Sequence, residues 1–374
     1  MDFSLNEVQQ MLADSIEKFI DNEYDFDTRQ KYAASERGYS TDVWRMFAEL
    51  GWTAVPFSEE DGGFGGGPID IMVVMQRFGR GLIVEPYLAN VVLAGGILKR
   101  TGTPRQKERW LQPLIAGELQ ATLAFTEPQA RYDLANIETT AVADGDDWEL
   151  SGSKGFVVNG ATADLIIVPA RTAGDPTDTS GITLFAVDAS LDGVMRDDYH
   201  TVDGGRAAEV SLSDVRVAAD AVLGEVDDGL AALDATIDDA TLAVCAEAVG
   251  IMTTLKDKTI EYSKSRTQFG VPIGSFQALQ HRMVDMLTAC EQAQSLLMWA
   301  AMTCQQGGDD TGHAVSSLKY LVSTSGQAVG EEAVQIHGGM GVTWDLDVAH
   351  FFKRLTAIGQ LFGNADWHLD RLAA

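Results

Sequence analysis

The first 120 residues place their apolar side chains with the period of a helix. One mainly apolar stripe consists of Val8, Met11, Leu12, Ser15, Ile16 and Phe19. The pattern Ser4-x-x-Glu7 is typical of a capping box, and Pro68 and Pro104 predict later helix starts, where a missing N–H costs nothing. We therefore expect an N-terminal helical domain over residues 1–120.

Between residues 121 and 225 the apolar residues come in short runs rich in Val, Ile and Thr. These runs lie at 137–142, 155–159, 165–168 and 182–187. Turn dipeptides such as Asp144-Gly145 and Asn159-Gly160 separate them, which is typical of strands joined by tight turns. The pattern predicts an antiparallel β domain over residues 121–225.

From about residue 229 the helical period returns in four long stretches. They span roughly 230–263, 276–306, 312–337 and 346–372. Breakers such as Pro272 and Gly307-Gly308 leave only short connections, which favours an antiparallel four-helix bundle over residues 226–374. The predicted fold class is α+β and mostly α.

Composition and charge exclude several classes of protein. The 374 residues are 45% hydrophobic and 22% charged, as in globular domains, and the formal net charge is -28. Such a charge repels nucleic acid and anionic membranes. Because Met1 to Ile20 has no basic signal region and no apolar run reaches 18 residues, we expect a soluble, cytoplasmic protein.

The three cysteines, Cys245, Cys290 and Cys304, lie in helical patterns and form no C-x-x-C pair. Neither a disulfide framework nor a metal site is indicated, and we expect reduced, buried thiols. The glycine-rich run from Asp61 to Gly67 lacks the phosphate-loop order and fits a structural loop, and no dinucleotide fingerprint follows a strand. Hydride chemistry would need a carrier other than a nicotinamide nucleotide.

Two segments of the C-terminal domain combine residues suited to a nucleotide. Arg266, Phe269, Phe276 and Gln277 share one connection, where the arginine fork suits pyrophosphate and a ring can pack on a heterocycle. A surface arginine and core phenylalanines are an equally good explanation. In the second segment Gln335 precedes Gly338 and Gly339, which permit close backbone approach to a ligand or simply cap a helix.

Taken together, the R-x-x-F-G, F-Q and Q-x-x-G-G-x-G motifs resemble the acyl-CoA dehydrogenase family. The segment Phe125-Thr126-Glu127-Pro128 is similar to the family's T-E-P, and the run from Ser151 to Gly160 to its G-x-K-x-W-I-T-N-G strand. The resemblance spans the whole chain. It implies a flavoprotein in which a carboxylate removes the pro-R α-proton of an acyl-CoA while the β-hydride passes to flavin N5.

The resemblance also implies which residues contact FAD, which lies across a subunit contact in this family. On the flavin-ring side these are Phe125, Thr126, Phe156 and Val158. The residues implied on the adenosine side of a neighbour's FAD are Arg266, Phe269, Phe276, Gln277, Gln335, Gly338 and Gly339, with Asn364 as a further cofactor contact. Phe156 and Val158 replace the family's Trp and Thr, so one flavin hydrogen bond is lost.

The family's catalytic Glu has no counterpart at either of its usual positions. In the run that matches Y-E-G-T, Phe362 stands where the Glu is expected, and the position that some relatives use on the first bundle helix is Ala240. Asp239 is a nearby carboxylate, but a helix turns about 100° per residue, so it points to another face. It is the candidate for an atypical base.

The pattern is most similar to the small subunits of pimeloyl-CoA-dehydrogenase-type heteromers, related to pairs that act on steroid side chains. This resemblance implies an α2β2 enzyme of fatty acid or steroid side-chain degradation, whose larger subunit carries the Glu, and an electron-transfer flavoprotein as electron acceptor. Two alternatives stay open: a homomeric dehydrogenase using Asp239, and a non-enzymatic relative that binds acyl-CoA or a partner. Dicarboxylyl, branched and steroid-side-chain thioesters all remain possible substrates.

Overall fold

A computed structural model describes residues 5–373, in which helices come first, then a β-sheet, then helices again. The N-terminal helices are α1 (Glu7–Glu23), α2 (Phe26–Ala33), α3 (Thr41–Glu49), α4 (Pro68–Gly81), α5 (Gly95–Thr101), α6 (Pro104–Gln106) and α7 (Gln112–Ile115), with π-helical turns at Leu88–Ala94 and Lys107–Leu111. The predicted α+β, mostly helical fold class is confirmed. Pro68 and Pro104 are the first residues of α4 and α6, as predicted.

Helix α1 begins later than its capping pattern predicts. The side chain of Asn6 accepts a hydrogen bond from the backbone N–H of Gln9 at 2.8 Å, and the Gln9 side chain accepts one from the backbone N–H of Asn6 at 3.1 Å. This is the capping box of the helix, whereas Ser4 lies outside the described residues. The predicted apolar stripe is partly wrong, because Val8 and Met11 are each 72% exposed. The residues of α1 that are buried are Gln9, Ala13, Ile16, Phe19 and Ile20.

The middle of the chain forms one twisted sheet in the order β6-β7-β3-β2-β4-β5-β8. Its strands are β1 (Ala121–Leu123), β2 (Thr140–Asp144), β3 (Asp147–Val158), β4 (Leu165–Arg171), β5 (Ile182–Asp188), β6 (Val194–His200), β7 (Arg206–Val217) and β8 (Val222–Leu223). Most pairs are antiparallel, as predicted, but β1 and β2 both pair with β4 in parallel. Neither of these two pairs is joined by a hairpin, so no tight turn imposes an antiparallel direction.

The C-terminal part contains three long helices and two short ones. Its elements are α8 (Leu230–Ser265), the hairpin β9 (Thr267–Gln268) and β10 (Val271–Pro272), α9 (Gln277–Gln306), α10 (Thr311–His337), α11 (Asp347–Ile358) and α12 (Ala365–Ala373). The prediction of a single fourth helix over 346–372 is wrong, because α11 and α12 are separate helices. Phe362 and Gly363 have φ angles of 56° and 111°, which a right-handed helix cannot contain, so the chain turns there.

Two glycines allow α4 and α8 to pack in close contact. A Cβ atom on Gly79 would lie 2.0 Å from the carbonyl oxygen of Glu247, and one on Gly250 would lie 2.0 Å from that of Gln76. A larger residue at either position would separate the helices. This contact joins the N-terminal helices to the C-terminal ones in one continuous apolar core and fixes the position of Glu247.

Candidate functional site

A pocket of about 510 Å³ lies where the N-terminal helices, the sheet and the C-terminal helices meet. Its N-terminal wall includes Met75, Phe78 and residues 82–89, and most of this wall is apolar. The opposite walls come from the sheet and from α8 and α11. A concave, mainly apolar site with a few polar groups is typical of a small-molecule or cofactor site.

The residues expected on the flavin-ring side line this pocket together. Phe125, Thr126, Phe156 and Val158 all contribute to its wall, and so does Phe362, the residue expected at the position of the base. The rings of Phe125 and Phe362 stack with their centroids 6.0 Å apart. Residues from three distant parts of the sequence therefore share one surface.

A buried ion pair holds two of these segments in place. The ammonium group of Lys154 on β3 donates to a carboxylate oxygen of Glu127 at 2.5 Å, and the backbone N–H of Glu138 donates to the other oxygen at 2.8 Å. Burial alone would raise the pKa of Glu127, but the Lys154 ammonium and the hydrogen bonds lower that pKa to about 2. Glu127 thus remains ionised and ties the loop carrying Thr126 to β3.

The residues expected on the adenosine side lie on a separate, exposed surface at one end of the helices. This set consists of Arg266, Phe269, Phe276, Gln277, Gln335, Gly338 and Gly339. The ring of Phe269 is 92% exposed and meets that of Phe276 edge-on at 6.2 Å. Tyr262, near the end of α8, stacks on His337 at the end of α10 with centroids 4.3 Å apart, which brings the two predicted segments together.

Three other predicted positions lie outside the main pocket. The side chain of Asn364 accepts a hydrogen bond from the backbone N–H of Trp367 at 2.9 Å, so it caps α12. Ala240 is buried in the core. Asp239 lines a separate cavity of about 30 Å³ and pairs with Arg100 at 2.6 Å. Asp239 therefore lies away from any substrate in the main pocket.

The sequence interpretation missed a buried charge cluster on the pocket wall. Arg354 on α11 makes a two-bond contact with Glu247 on α8, at 2.6 and 2.7 Å, and also pairs with Asp203 in the β6–β7 loop at 2.8 Å. Glu247 is the only charged residue in the stretch 240–252, which was a usable signal. Its partner Arg354 is 107 residues away and Asp203 lies 151 residues from Arg354, so neither contact gave a local sign.

A second set of polar groups, Arg29 and Glu85, lines the N-terminal wall. The carboxyl group of Glu85 accepts hydrogen bonds from the hydroxyl of Tyr24 at 2.7 Å and from the backbone N–H of Ser40 at 3.2 Å. Burial raises the pKa of Glu85 to about 7, so it is partly protonated at neutral pH. Glu85 is therefore a carboxyl group that can hold a proton beside the pocket.

The surroundings of the three cysteines keep their thiols protonated. Cys245 and Cys290 are buried, whereas Cys304 is only partly buried, and burial raises the pKa of all three thiols to about 12. Within residues 5–373 there is no cluster of three or more His, Cys, Asp and Glu suited to a metal ion. Over the same residues, none of the helices is long and apolar enough to cross a membrane.

Comparison with known proteins gives matches along almost the whole chain. Residues 6–118 match the family described as Acyl-CoA dehydrogenase, N-terminal domain, residues 122–215 match the middle domain of that family, and residues 227–374 match its C-terminal domain. The chain is 30% identical over 376 residues to the probable acyl-CoA dehydrogenase YngJ of Bacillus subtilis, with 96% of each protein covered.

Two solved structures share the fold over essentially their full length. Butyryl-CoA dehydrogenase from Megasphaera elsdenii has a TM-score of 0.92 and 28% identity, covering 100% of this chain and 99% of that one. A chain of the ChsE4-ChsE5 complex from Mycobacterium tuberculosis has a TM-score of 0.90 and 27% identity, covering 100% and 98%.

Proposed function

This chain belongs to the acyl-CoA dehydrogenase family with FAD as cofactor, and from this premise we propose that it is the small subunit of a heteromeric enzyme. In this proposal a larger, related subunit carries the catalytic Glu in an α2β2 assembly. The present chain completes the FAD sites from its exposed C-terminal surface. An electron-transfer flavoprotein takes up the electrons.

The residues of both expected surfaces fit FAD. The pocket presents aromatic rings from Phe125 and Phe156 and the hydroxyl of Thr126, which suit a planar heterocycle, although Val158 offers no hydrogen bond. The exposed guanidinium of Arg266 suits pyrophosphate. When bound, FAD supplies the acceptor for the hydride that leaves the β-carbon of the acyl group.

One observation supports the proposal that this chain has no catalytic base of its own. Phe362 occupies the expected position of the Glu, and of the carboxyl groups that line the pocket in residues 5–373, Asp203 and Glu247 both pair with Arg354. Burial alone would raise the pKa of Asp203, but the Arg354 guanidinium lowers it, and the same guanidinium binds both carboxylate oxygens of Glu247. The oxygens of Glu85 accept the hydrogen bonds from Tyr24 and Ser40 described above, and Glu85 is the carboxyl group to be tested.

An exposed apolar surface beside the adenosine-side residues supports a subunit contact. Phe269 and Phe276 adjoin the start of α9, where Val284 and Leu287 lie on one helix face and are 56% and 41% exposed. Exposed apolar patches of this kind mark interaction surfaces. A partner that covers them would also bring its FAD close to Arg266.

The direct test compares the purified chain with the chain co-expressed with a related acyl-CoA dehydrogenase chain that carries the catalytic Glu. We expect negligible flavin reduction by any acyl-CoA from the chain alone, and flavin absorbance with turnover from the complex. Robust turnover by the pure homomer would falsify the small-subunit proposal. A complex without flavin would favour the non-enzymatic alternative.

A second test addresses the adenosine side. In the complex, Arg266→Ala should lower FAD occupancy at least tenfold at limiting FAD, since a charge-assisted hydrogen bond contributes about 1.5 to 3 kcal/mol. The melting temperature of the apoprotein should hardly change, because the side chain is exposed. Arg45→Ala, which removes another exposed arginine far from the motif, is the matched control. Unchanged FAD affinity in Arg266→Ala would remove this motif from the cofactor site.

A homomeric dehydrogenase is the second candidate, and one observation favours Glu85 over Asp239 as its catalytic base. Glu85 combines a position on the pocket wall with a pKa of about 7, near the pH at which a general base works well. If the pure chain does turn over an acyl-CoA, Glu85→Gln should abolish that activity, whereas Asp239→Asn should leave it unchanged.

A further inference from the structure

The polar side chains on the N-terminal and C-terminal walls of the pocket form one connected group, the polar cluster. Arg29 donates to the carbonyl oxygen of Asp203 at 3.0 Å, and the carboxylate of Asp203 pairs with Arg354 at 2.8 Å. The full set is Tyr24, Arg29, Glu85, Asp203, Glu247 and Arg354, all of which line the pocket except Tyr24. Helices α2, α8 and α11 and the β6–β7 loop thus place polar groups together on a wall that is otherwise mainly apolar.

The positive and negative charges of the polar cluster balance each other. Asp203 and Glu247 share the single positive charge of Arg354, so one negative charge is left to offset that of Arg29. Burial lowers the pKa of Arg29, and the nearby Tyr24, Asp203 and Glu85 act against that shift. A further charge brought in by a ligand would be buried without a partner, which is costly. The cluster therefore favours an uncharged ligand group.

Arg29 keeps unused hydrogen-bond donors although it is only 4% exposed. It donates to the side-chain oxygen of Gln30 at 2.6 Å and to the carbonyl oxygens of Leu82 and Asp203 at 3.4 and 3.0 Å. A guanidinium group carries five N–H bonds, so within residues 5–373 two of them have no acceptor. A ligand oxygen in the pocket would satisfy them.

Glu85 adds a second donor when it is protonated. Its side chain is 5% exposed, and its oxygens accept from the hydroxyl of Tyr24 at 2.7 Å and from the backbone N–H of Ser40 at 3.2 Å. Burial raises the pKa of Glu85 to about 7, and the protonated form carries an O–H. Both partners act as donors to Glu85, so a ligand oxygen is a suitable acceptor for this O–H.

We propose that the polar cluster makes the pocket selective for acyl thioesters whose acyl chain carries a neutral carbonyl oxygen, which accepts hydrogen bonds from Arg29 and protonated Glu85. A carbonyl oxygen has two lone pairs and no charge, so it takes both donors and leaves the charge balance unchanged. Leu82, Ile83 and Val84 line the pocket in the same stretch as Glu85 and suit the apolar part of the chain. The inference rests on the proposed function only in taking the ligand to be an acyl thioester.

The test compares thioesters that share an eight-carbon acyl chain. They are octanoyl-CoA, its 5-oxo and 7-oxo derivatives, and suberyl-CoA, which ends in a carboxylate. Calorimetric titration of the purified full-length chain at pH 6 should show at least one oxo thioester binding about tenfold more tightly than octanoyl-CoA, since a hydrogen bond to a charged donor is gained. Suberyl-CoA should bind no more tightly than octanoyl-CoA, because its carboxylate upsets the charge balance.

Variants assign the preference for the oxo thioester to its donors. Arg29→Met should reduce the preference several-fold while octanoyl-CoA binds as before. Gln360→Leu removes an uncharged polar side chain from the same pocket lining, so it is the matched control and should keep the preference. Should Arg29→Met fail to fold, Arg29→Lys keeps the charge but not the two-donor fork and should also reduce the preference.

The pH dependence of the preference tests Glu85. It should fall several-fold between pH 6 and pH 8.5, because ionised Glu85 no longer donates. In Glu85→Gln the side-chain amide donates at both pH values, so the preference should stay constant. A purely structural role of Glu85 would not produce this difference between wild type and variant.

The other ionisable groups of the polar cluster keep their charge over this pH range. Burial raises the pKa of Tyr24 well above its usual value, and both arginines stay cationic. The Arg354 guanidinium lowers the pKa of Asp203, which burial alone would raise, and binds both oxygens of Glu247.

The outcomes separate the inference from the proposed function. Equal affinities for octanoyl-CoA and both oxo thioesters, or no binding of any of them, overturn the inference but leave the flavin content and turnover of the complex untouched. Tighter binding of suberyl-CoA than of the oxo thioesters also overturns it, because that result would require an excess positive charge. A preference that Gln360→Leu removes, or that survives undiminished in the Arg29 variants, likewise contradicts the assignment.

Discussion

The ammonium group of Lys319 lies 2.6 Å from the carbonyl oxygen of Gly363, inside the packed C-terminal helices. Lys319 is fully buried on α10 and also reaches the carbonyl oxygen of Gly359 at 3.4 Å. It therefore binds both ends of the turn that separates α11 from α12. That turn carries Phe362, so Lys319 positions the residue that, in our proposal, stands in place of the base.

Lys319→Met should change the pH dependence of stability. Burial lowers the pKa of Lys319 to about 8, below the value of about 10.4 in an unfolded chain. Between these pH values the unfolded chain binds more protons, so wild-type stability rises with pH. We expect wild type to gain about 1.5 kcal/mol relative to the variant from pH 8 to 9.5, measured by urea unfolding. A constant difference would show that Lys319 stays protonated.

Breaking the Glu127–Lys154 pair should be costly. Lys154→Met leaves a buried, uncompensated carboxylate and should lower the free energy of unfolding by about 3 to 5 kcal/mol. The double variant Glu127→Gln/Lys154→Met should lose less than the single variants' losses added together. Lys264→Met, which breaks an exposed pair with Glu261, should cost less than about 1 kcal/mol. Additive losses in this double-mutant cycle, measured by urea unfolding, would contradict the coupling between Glu127 and Lys154.

Gly363→Ala should destabilise the chain more than Gly307→Ala. Both glycines have positive φ angles, 111° and 69°, so both variants strain the backbone. A Cβ atom on Gly363 would also lie 2.5 Å from the ring of Trp367, whereas Gly307 has open space around it. Overpacking should add about 1 to 3 kcal/mol for Gly363→Ala. Equal melting temperatures would mean that α12 can shift to make room.

Phe362→Glu should not create an independent enzyme. In our proposal the flavin side still lacks a hydrogen bond at Val158, and the new carboxyl group would replace a ring that stacks on Phe125. We expect a lower melting temperature and no substrate-dependent bleaching of flavin added to the isolated chain. Phe362→Gln is the control, because glutamine has the shape of glutamate but no charge. Bleaching in the Glu variant alone would show that the site needs only its base.

Local sequence determined much of the fold. Helix periods, prolines in first turns and Val-rich runs depend on neighbours a few residues apart, so the order helix, strand, helix was predictable. The break at Phe362 and Gly363 was not, because the run 346–372 keeps its apolar period across the turn and only packing against α10 holds it. The exposure of Val8 and Met11 was likewise decided by where the rest of the core lies.

The candidate site, too, was predictable from the sequence only in part. The motifs carrying Thr126, Phe156 and Arg266 were readable, because they are contiguous runs, and the absence of a Glu at Phe362 and Ala240 followed from position alone. The pairing of Arg354 with Glu247, and of Arg29 with the backbone of Asp203, joins residues 107 and 174 positions apart. Such contacts produce no periodic pattern in the sequence, because the position of a charge depends on the three-dimensional packing of its helix and not on its sequence neighbours. Only the tertiary structure could therefore decide which charges line the pocket and how they pair with one another.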